Sequence, residues 1–132
     1  MATNTAGTAA REYTTAQTHY LTKAITYADN GTSVSLGYVP AGAYVIRGGV
    51  VVSTAFNGNS ANTLNIGTAS SASAFASAIA LGTAGIIVAD DLATTTAAYC
   101  STDTEMKAAV TSTASASAGA GMVWIEYLVP QG

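Results

Sequence analysis

The residues of this sequence that could carry catalytic or metal chemistry are few and scattered. There is one histidine, His19 in "AQTHYL", and one cysteine, Cys100 in "AAYCST". A thiolate nucleophile needs a base within hydrogen-bond reach, and no motif surrounds either residue. His19 is expected at the start of a strand. Cys100 is expected to be a small semi-buried hydrophobe, the common state of a free thiol. A single cysteine forms no internal disulfide, so no redox compartment is implied. Asp90 and Asp91 are adjacent carboxylates, of the kind that bind calcium or share a proton. They follow "IIV" at an expected strand end, where a solvated turn explains them; calcium wants several more oxygen ligands at defined spacing. Asp103 and Glu105 make a second acidic corner of the same kind. No G-x-S-x-G, P-loop, Rossmann fingerprint or H-E-x-x-H motif is present. The expectation is a protein that is not an enzyme, with no catalytic residue, metal or cofactor.

The bulk composition points elsewhere. Only 8 % of the 132 residues are charged, against roughly 25 % in an ordinary soluble domain. Ser, Thr, Asn and Gly must supply the wet surface. A surface partly covered by other subunits explains this better than a free monomer, which usually keeps soluble through dense charge. The four bases, Arg11, Lys23, Arg47 and Lys107, form no stripe that could displace phosphate counterions, which argues against nucleic acid. The N-terminal "MATNTAGTAAREY" has no basic region followed by an apolar core, so no signal peptide is expected. No apolar run is long enough for a membrane span. The ten aromatics are seven Tyr, two Phe and one Trp. Tyrosine suits half-wet interfaces; exposed aromatics beside carboxylates would instead suit a carbohydrate platform.

The elements that must position these residues read as strands. Residues 1–12 are small and polar and form an expected flexible arm; 13–132 form one β domain. In "YLTKAITYAD" Leu21, Ile25 and Tyr27 alternate with Thr22, Ala24 and Thr26. "DNGT", Asp29–Thr32, predicts a tight hairpin turn. "SVSLGYV" is a strand, and "PAGA" a type II turn in this or a neighbouring frame. In "YVIRGGVVVSTAF" Tyr44, Ile46, Gly48, Val50 and Val52 share one face, and Val45, Arg47, Val51 and Ser53 the other. Gly48-Gly49 predicts a bulge, a bend or a close backbone neighbour. The stretch from Gly48 to Ala69 reads as a hairpin, its second strand "TLNIGTA". Phe75, Ile79 and Leu81 predict a short helix ending at Gly82. "IIV", "TTTAAYCST" and "EMKAAVTSTASA" are further strands; a capping box at Thr102 and Glu105 is the helical alternative for the last. "MVWIEYLV" carries large residues on both faces, Val123, Ile125, Tyr127 and Val129 opposing Met122, Trp124, Glu126 and Leu128, which predicts a central or interfacial strand. About eight short strands with turns between them predict an all-β, jelly-roll-like sandwich or barrel.

The run "VPAGAYVIRGGVVVSTAFNGNSANTLNIGTA" and the closing "IEYLVP" resemble small head decoration, or cement, proteins of tailed bacteriophages. Pro40, Ala55, Phe56, Asn57, Thr63, Leu64, Gly67, Thr68, Tyr127 and Pro130 are the matching positions. The resemblance implies a jelly-roll-like domain, usually a homotrimer, seated over junctions between capsid hexamers, its N-terminal segment taking part in anchoring. It implies no catalytic residue. The expected partners are therefore a second and third copy of the chain and a major capsid protein, with no nucleic acid and no membrane. The expected place is the virion exterior, after synthesis in the host cytoplasm. Arg11, Tyr13, Tyr20, Arg47 and Trp124 are the expected subunit or capsid contacts. The alternative is a receptor- or glycan-binding module of a head fibre or tail.

Overall fold

The last strand organises the molecule. In β9 (Ala120–Leu128) Val123 and Ile125 are buried and Met122 is exposed, the period-two pattern of a strand with one face on a core. The computed structural model, which describes residues 18–59, 61–89, 98–113 and 115–129, places β9 between β1 (Thr18–Thr26) and β3 (Ala43–Thr54). On its other edge β3 pairs with β6 (Gly85–Val88) and, nearer its start, with β7 (Tyr99–Cys100). This is the first sheet, in the order β1-β9-β3-β6 with β7 on β3. The second sheet, β2-β8-β4-β5, contains β2 (Ser33–Val39), β8 (Thr104–Ser112), β4 (Asn62–Thr68) and β5 (Ala76–Ala80). All pairings are antiparallel.

The two sheets form a sandwich-like arrangement. Its core takes Ile25, Val45, Val50, Val52, Val123 and Ile125 from the first sheet and Leu36, Leu64, Ile66, Met106 and Val110 from the second. Phe56, Phe75 and Leu81 fill the core from the connections. The all-β, jelly-roll-like expectation holds, with nine strands among the described residues instead of about eight. The central position of β9 and the strand over "EMKAAVTS" also hold.

Both expected hairpins are crossings between the sheets. Asp29–Thr32 does close a turn, Thr32 N donating to Asp29 O at 3.0 Å. Asn30, however, sits at φ −53°, outside the left-handed region a type I′ hairpin turn needs at both central residues. The turn follows a short 3₁₀ segment, Tyr27–Asp29, capped by Thr26, and hands the chain from β1 in one sheet to β2 in the other. Gly48–Ala69 is likewise no hairpin, because β3 and β4 lie in different sheets. Phe56 is buried in this connection, and its N–H donates to Leu81 O at 3.0 Å. Asn62 holds the same connection: its Oδ1 accepts from Gly58 N at 2.8 Å, and its Nδ2 donates to Gly58 O at 2.8 Å.

The helix expected up to Gly82 is also absent. Residues 71–75 make turns on Ser71 O, and β5 then pairs with β4. Ala propensity for helix is a weak preference that tertiary pairing overrides. Phe75 N donates to Ile66 O at 2.9 Å and the ring is buried in the core.

Within β3 the register shifts lie between Val45 and Arg47 and between Val52 and Thr54, not at Gly48-Gly49. At the first, the extra residue turns Val45 into the core and leaves Tyr44 and Ile46 outside, the reverse of the sequence reading for those three. Of the three alternatives expected at Gly48-Gly49 the close backbone neighbour is the one found, since a Cβ at Gly49 would collide with the Ile87 carbonyl of β6. "PAGA" forms its turn in the frame Pro40–Ala43, with Ala43 N donating to Pro40 O at 3.2 Å and Gly42 at φ +87° in the third position.

Candidate interaction face

The outward side of the first sheet is built from four cross-strand rows. The first sets Ala24, Met122, Val51 and Ile86 side by side; the second sets Thr22, Trp124, Gly49 and Val88. The third is Tyr20, Glu126 and Arg47, and the fourth Thr18, Leu128, Tyr44 and Tyr99. Met122, Val51, Ile86, Val88, Tyr20, Tyr44, Ile46 and Tyr99 are all exposed, Ile86 to 71 %. Tyr44 and Tyr99 lean on each other with ring centroids 4.9 Å apart. Scattered exposed apolar side chains are ordinary, whereas contiguous ones mark interaction sites.

The polar row is set into this apolar face. Glu126 is an outward residue of a central strand, yet its side chain is only 5 % exposed. Tyr20 from β1 and Arg47 from β3 close over it. Tyr20 Oη donates to Glu126 Oε2 at 2.6 Å, and Arg47 Nε donates to Glu126 Oε1 at 2.6 Å. A buried carboxylate is expensive unless paired and hydrogen-bonded, and here both oxygens are engaged. The hydrogen bonds from Arg47 and then Tyr20 hold the Glu126 carboxyl below its ordinary pKa, against the opposing effect of burial. The same contact with Glu126 raises the Tyr20 hydroxyl. The Arg47 side chain remains 64 % exposed.

The outer side of the second sheet differs. Its outward positions are Ser33, Ser35 and Tyr38 on β2, Glu105, Lys107, Ala109 and Thr111 on β8, and Thr63 and Asn65 on β4. Apart from Tyr38 these are small, hydroxylic, amide or charged. At one end Tyr38, Thr68, Ser70, Thr102, Asp103, Thr104 and Glu105 line an open cleft of about 310 Å³.

The expected contact residues Tyr20, Arg47 and Trp124 meet on the one face of the first sheet. Arg11 and Tyr13 lie outside the described residues, as do the arm, Asp90 and Asp91. Glu126, which joins two of the expected contacts, was not singled out by the sequence, nor were the exposed Ile86, Val88, Met122 and Tyr44. The available signal was the double-sided "MVWIEYLV". His19 stacks on Tyr127 with centroids 5.5 Å apart. Cys100 is buried, which pushes its thiol pKa up. Asp103 Oδ1 accepts from Ala41 N at 2.9 Å and so braces the "PAGA" turn. No group of three or more metal-ligating side chains exists among the described residues, and none of their helices is long and apolar enough to cross a membrane.

The class these features define is a two-sheet antiparallel β sandwich with one apolar outer face. No protein-family model and no curated protein matches the chain. Two solved structures share its fold. A chain of the cyanophage Pam1 capsid asymmetric unit superposes with a TM-score of 0.66 at 21 % identity, over 87 % of this chain and 86 % of that one. A chain of the acidic stable capsid of Helicobacter pylori bacteriophage KHP30 superposes with a TM-score of 0.66 at 14 % identity, over 86 % of this chain and 89 % of that one.

Proposed function

We propose that this protein is a virion structural component that decorates a bacteriophage capsid and bridges neighbouring major capsid protein subunits. The observation that carries the reading is the contrast between the two outer faces, one apolar with a single inset ion pair, the other polar and small. An isolated domain has no use for such a one-sided surface; an assembled one does. The shared fold with chains of two phage capsid structures supports the same reading, as does the low charge. Its role is to hold surfaces together, not to catalyse. Tyr20, Arg47 and Trp124 are the contacts on the apolar face, and Arg11 in the arm and Tyr13 just beyond it contribute as well. The protein acts as a homotrimer on the capsid exterior, where three modest sites gain about 10²–10⁴-fold through effective concentration. Light scattering on the purified protein and rupture temperatures of capsids with and without it test the reading. A stable monomer that leaves capsid rupture unchanged would refute it.

The cleft beside Tyr38 favours a second reading, a glycan-binding module, because an exposed ring there neighbours the carboxylates of Asp103 and Glu105. Silence on a glycan array and in a cell-adsorption assay removes it.

A further inference from the structure

We propose that Asn57-Gly58 is a site at which the protein modifies itself, by deamidation through a succinimide, and that Asn62 is the residue that holds the reaction off in the folded state.

The sequence has two Asn-Gly pairs, Asn30-Gly31 and Asn57-Gly58, in the two stretches that read as hairpin turns and prove to be crossings between the sheets. Asn-Gly is the pair most prone to this chemistry, because glycine sets no Cβ beside the attacking nitrogen. The glycine N–H loses its proton to solvent hydroxide, and its nitrogen bonds to the asparagine Cγ. The Cγ–Nδ2 bond breaks and ammonia leaves. The ring then takes up water to give aspartate or isoaspartate.

The fold treats the two pairs differently. At Asn57 the amide carbonyl is polarised, since Ser117 N and Ala118 N both donate to Oδ1, at 2.8 and 3.0 Å. Two backbone donors on one oxygen stabilise the charge that develops there when Cγ is attacked. The leaving nitrogen, Nδ2, donates to Ser117 Oγ at 3.0 Å. Asn57 is exposed, so water and hydroxide reach it. What is withheld is the nucleophile, because Gly58 N donates to Asn62 Oδ1 at 2.8 Å. The same oxygen accepts from Ser112 Oγ at 3.0 Å, which fixes its position. At Asn30 a single donor, Ser112 N, reaches Oδ1 at 2.8 Å. Gly31 N is committed to Val110 O, a backbone carbonyl of the central strand β8, at 3.0 Å. The gate at Asn57 is therefore one side chain, whereas the gate at Asn30 is the main chain of a sheet. The aspartate product loses the N–H that serves Ser117 Oγ, and isoaspartate also lengthens the backbone by a carbon. Either loosens the tie between the β3–β4 and β8–β9 connections and adds a negative charge to a chain of formal net charge −3.

The test follows both pairs by peptide mapping and isoaspartate-specific methylation during incubation at mildly alkaline pH. Folded wild type, urea-unfolded wild type, Asn62→Ala and Asn62→Asp are compared, with thermal melts to establish that the variants fold. Folded wild type is expected to deamidate at both pairs at least about tenfold more slowly than the unfolded chain. Asn62→Ala frees Gly58 N and is expected to speed Asn57 about tenfold over folded wild type, with Asn30 unchanged. Asn62→Asp loses the Nδ2 donor as Asn62→Ala does, but keeps an acceptor for Gly58 N, and is expected to hold Asn57 near the wild-type rate. A folded Asn62→Ala protein with Asn57 unchanged, or with Asn30 accelerated equally, would overturn the proposal. If Asn62→Ala does not fold, rapid deamidation at Asn57 in Asn62→Asp, or in folded wild type at the unfolded rate, overturns it instead.

Discussion

Arg47 Nε lies 2.6 Å from Glu126 Oε1 across the junction of β3 and β9, and this contact is what lets a carboxylate sit buried on the outer side of a sheet. It also gives the fold a pH dependence of known sign. The folded-state pKa of Glu126 is depressed, chiefly by Arg47 and then by Tyr20. Its contribution to stability is therefore complete above the ordinary carboxylate range and is lost as pH falls through the folded pKa. Thermal melts of wild type and Glu126→Gln should differ at neutral pH and converge in acid. A difference that persists unchanged to the lowest pH at which the protein folds would contradict the assignment.

Tyr20 predicts the opposite limb. Its hydroxyl pKa is raised by the hydrogen bond to Glu126, so its contribution is present below the ordinary tyrosine range and disappears as pH rises through the folded value. Tyr20→Phe should be less stable than wild type near neutrality and equal to it in strong alkali. Equal melting temperatures at neutral pH would show that the 2.6 Å contact contributes nothing.

The core connection makes a prediction about β5. Phe75 is fully buried and hydrogen-bonded through its backbone to β4, so Phe75→Ala should cost about 3–5 kcal/mol in urea unfolding. Ala78 has φ +56°, and its N–H is held by Asn65 Oδ1 at 2.7 Å. A non-glycine residue there costs about 1–2 kcal/mol, and a glycine costs about 0.4–1 kcal/mol in the unfolded chain. Ala78→Gly should therefore stabilise by about 0.5 kcal/mol. If residues 71–80 were instead helical, the same change would destabilise by about 1 kcal/mol.

Gly49 tests the packing of β3 against β6. Because a Cβ would meet the Ile87 carbonyl directly, Gly49→Ala should destabilise by about 1–3 kcal/mol, the cost of overpacking. Hydrogen exchange should quicken first in Gly85–Val88. A variant as stable as wild type would mean that β6 is not seated as described.

How much of this was legible in the sequence follows from what strand periodicity encodes. Alternation in "MVWIEYLV" set Val123 and Ile125 on one face and Trp124 and Glu126 on the other without any partner strand being known, and left open which face is inward. The same alternation is silent about which strand lies alongside, so turns such as "DNGT" and "NGNSAN" read as hairpins although each carries the chain across the sandwich. One inserted residue at Ile46 reversed the faces of Tyr44–Ile46, and nothing local marks it. β5 was hidden because "ASAIA" has Ile79 as its one β-branched residue and is otherwise Ala and Ser, which do not announce a strand. The polar row was hidden by distance: Tyr20 is 106 residues from Glu126 and Arg47 is 79. Only the topology β1-β9-β3 brings them side by side.

The central claim is that the apolar face of the first sheet is the docking face. It is tested most directly by capsid co-sedimentation of two surface variants that leave the core untouched. Ile86→Ser with Met122→Ser removes exposed apolar groups from that face, and Tyr38→Ser removes the exposed ring of the other. The account predicts unchanged melting temperatures for both, docking weakened by about tenfold or more for the first, and wild-type docking for the second. Loss of docking in Tyr38→Ser with full docking by the Ile86, Met122 variant would contradict it.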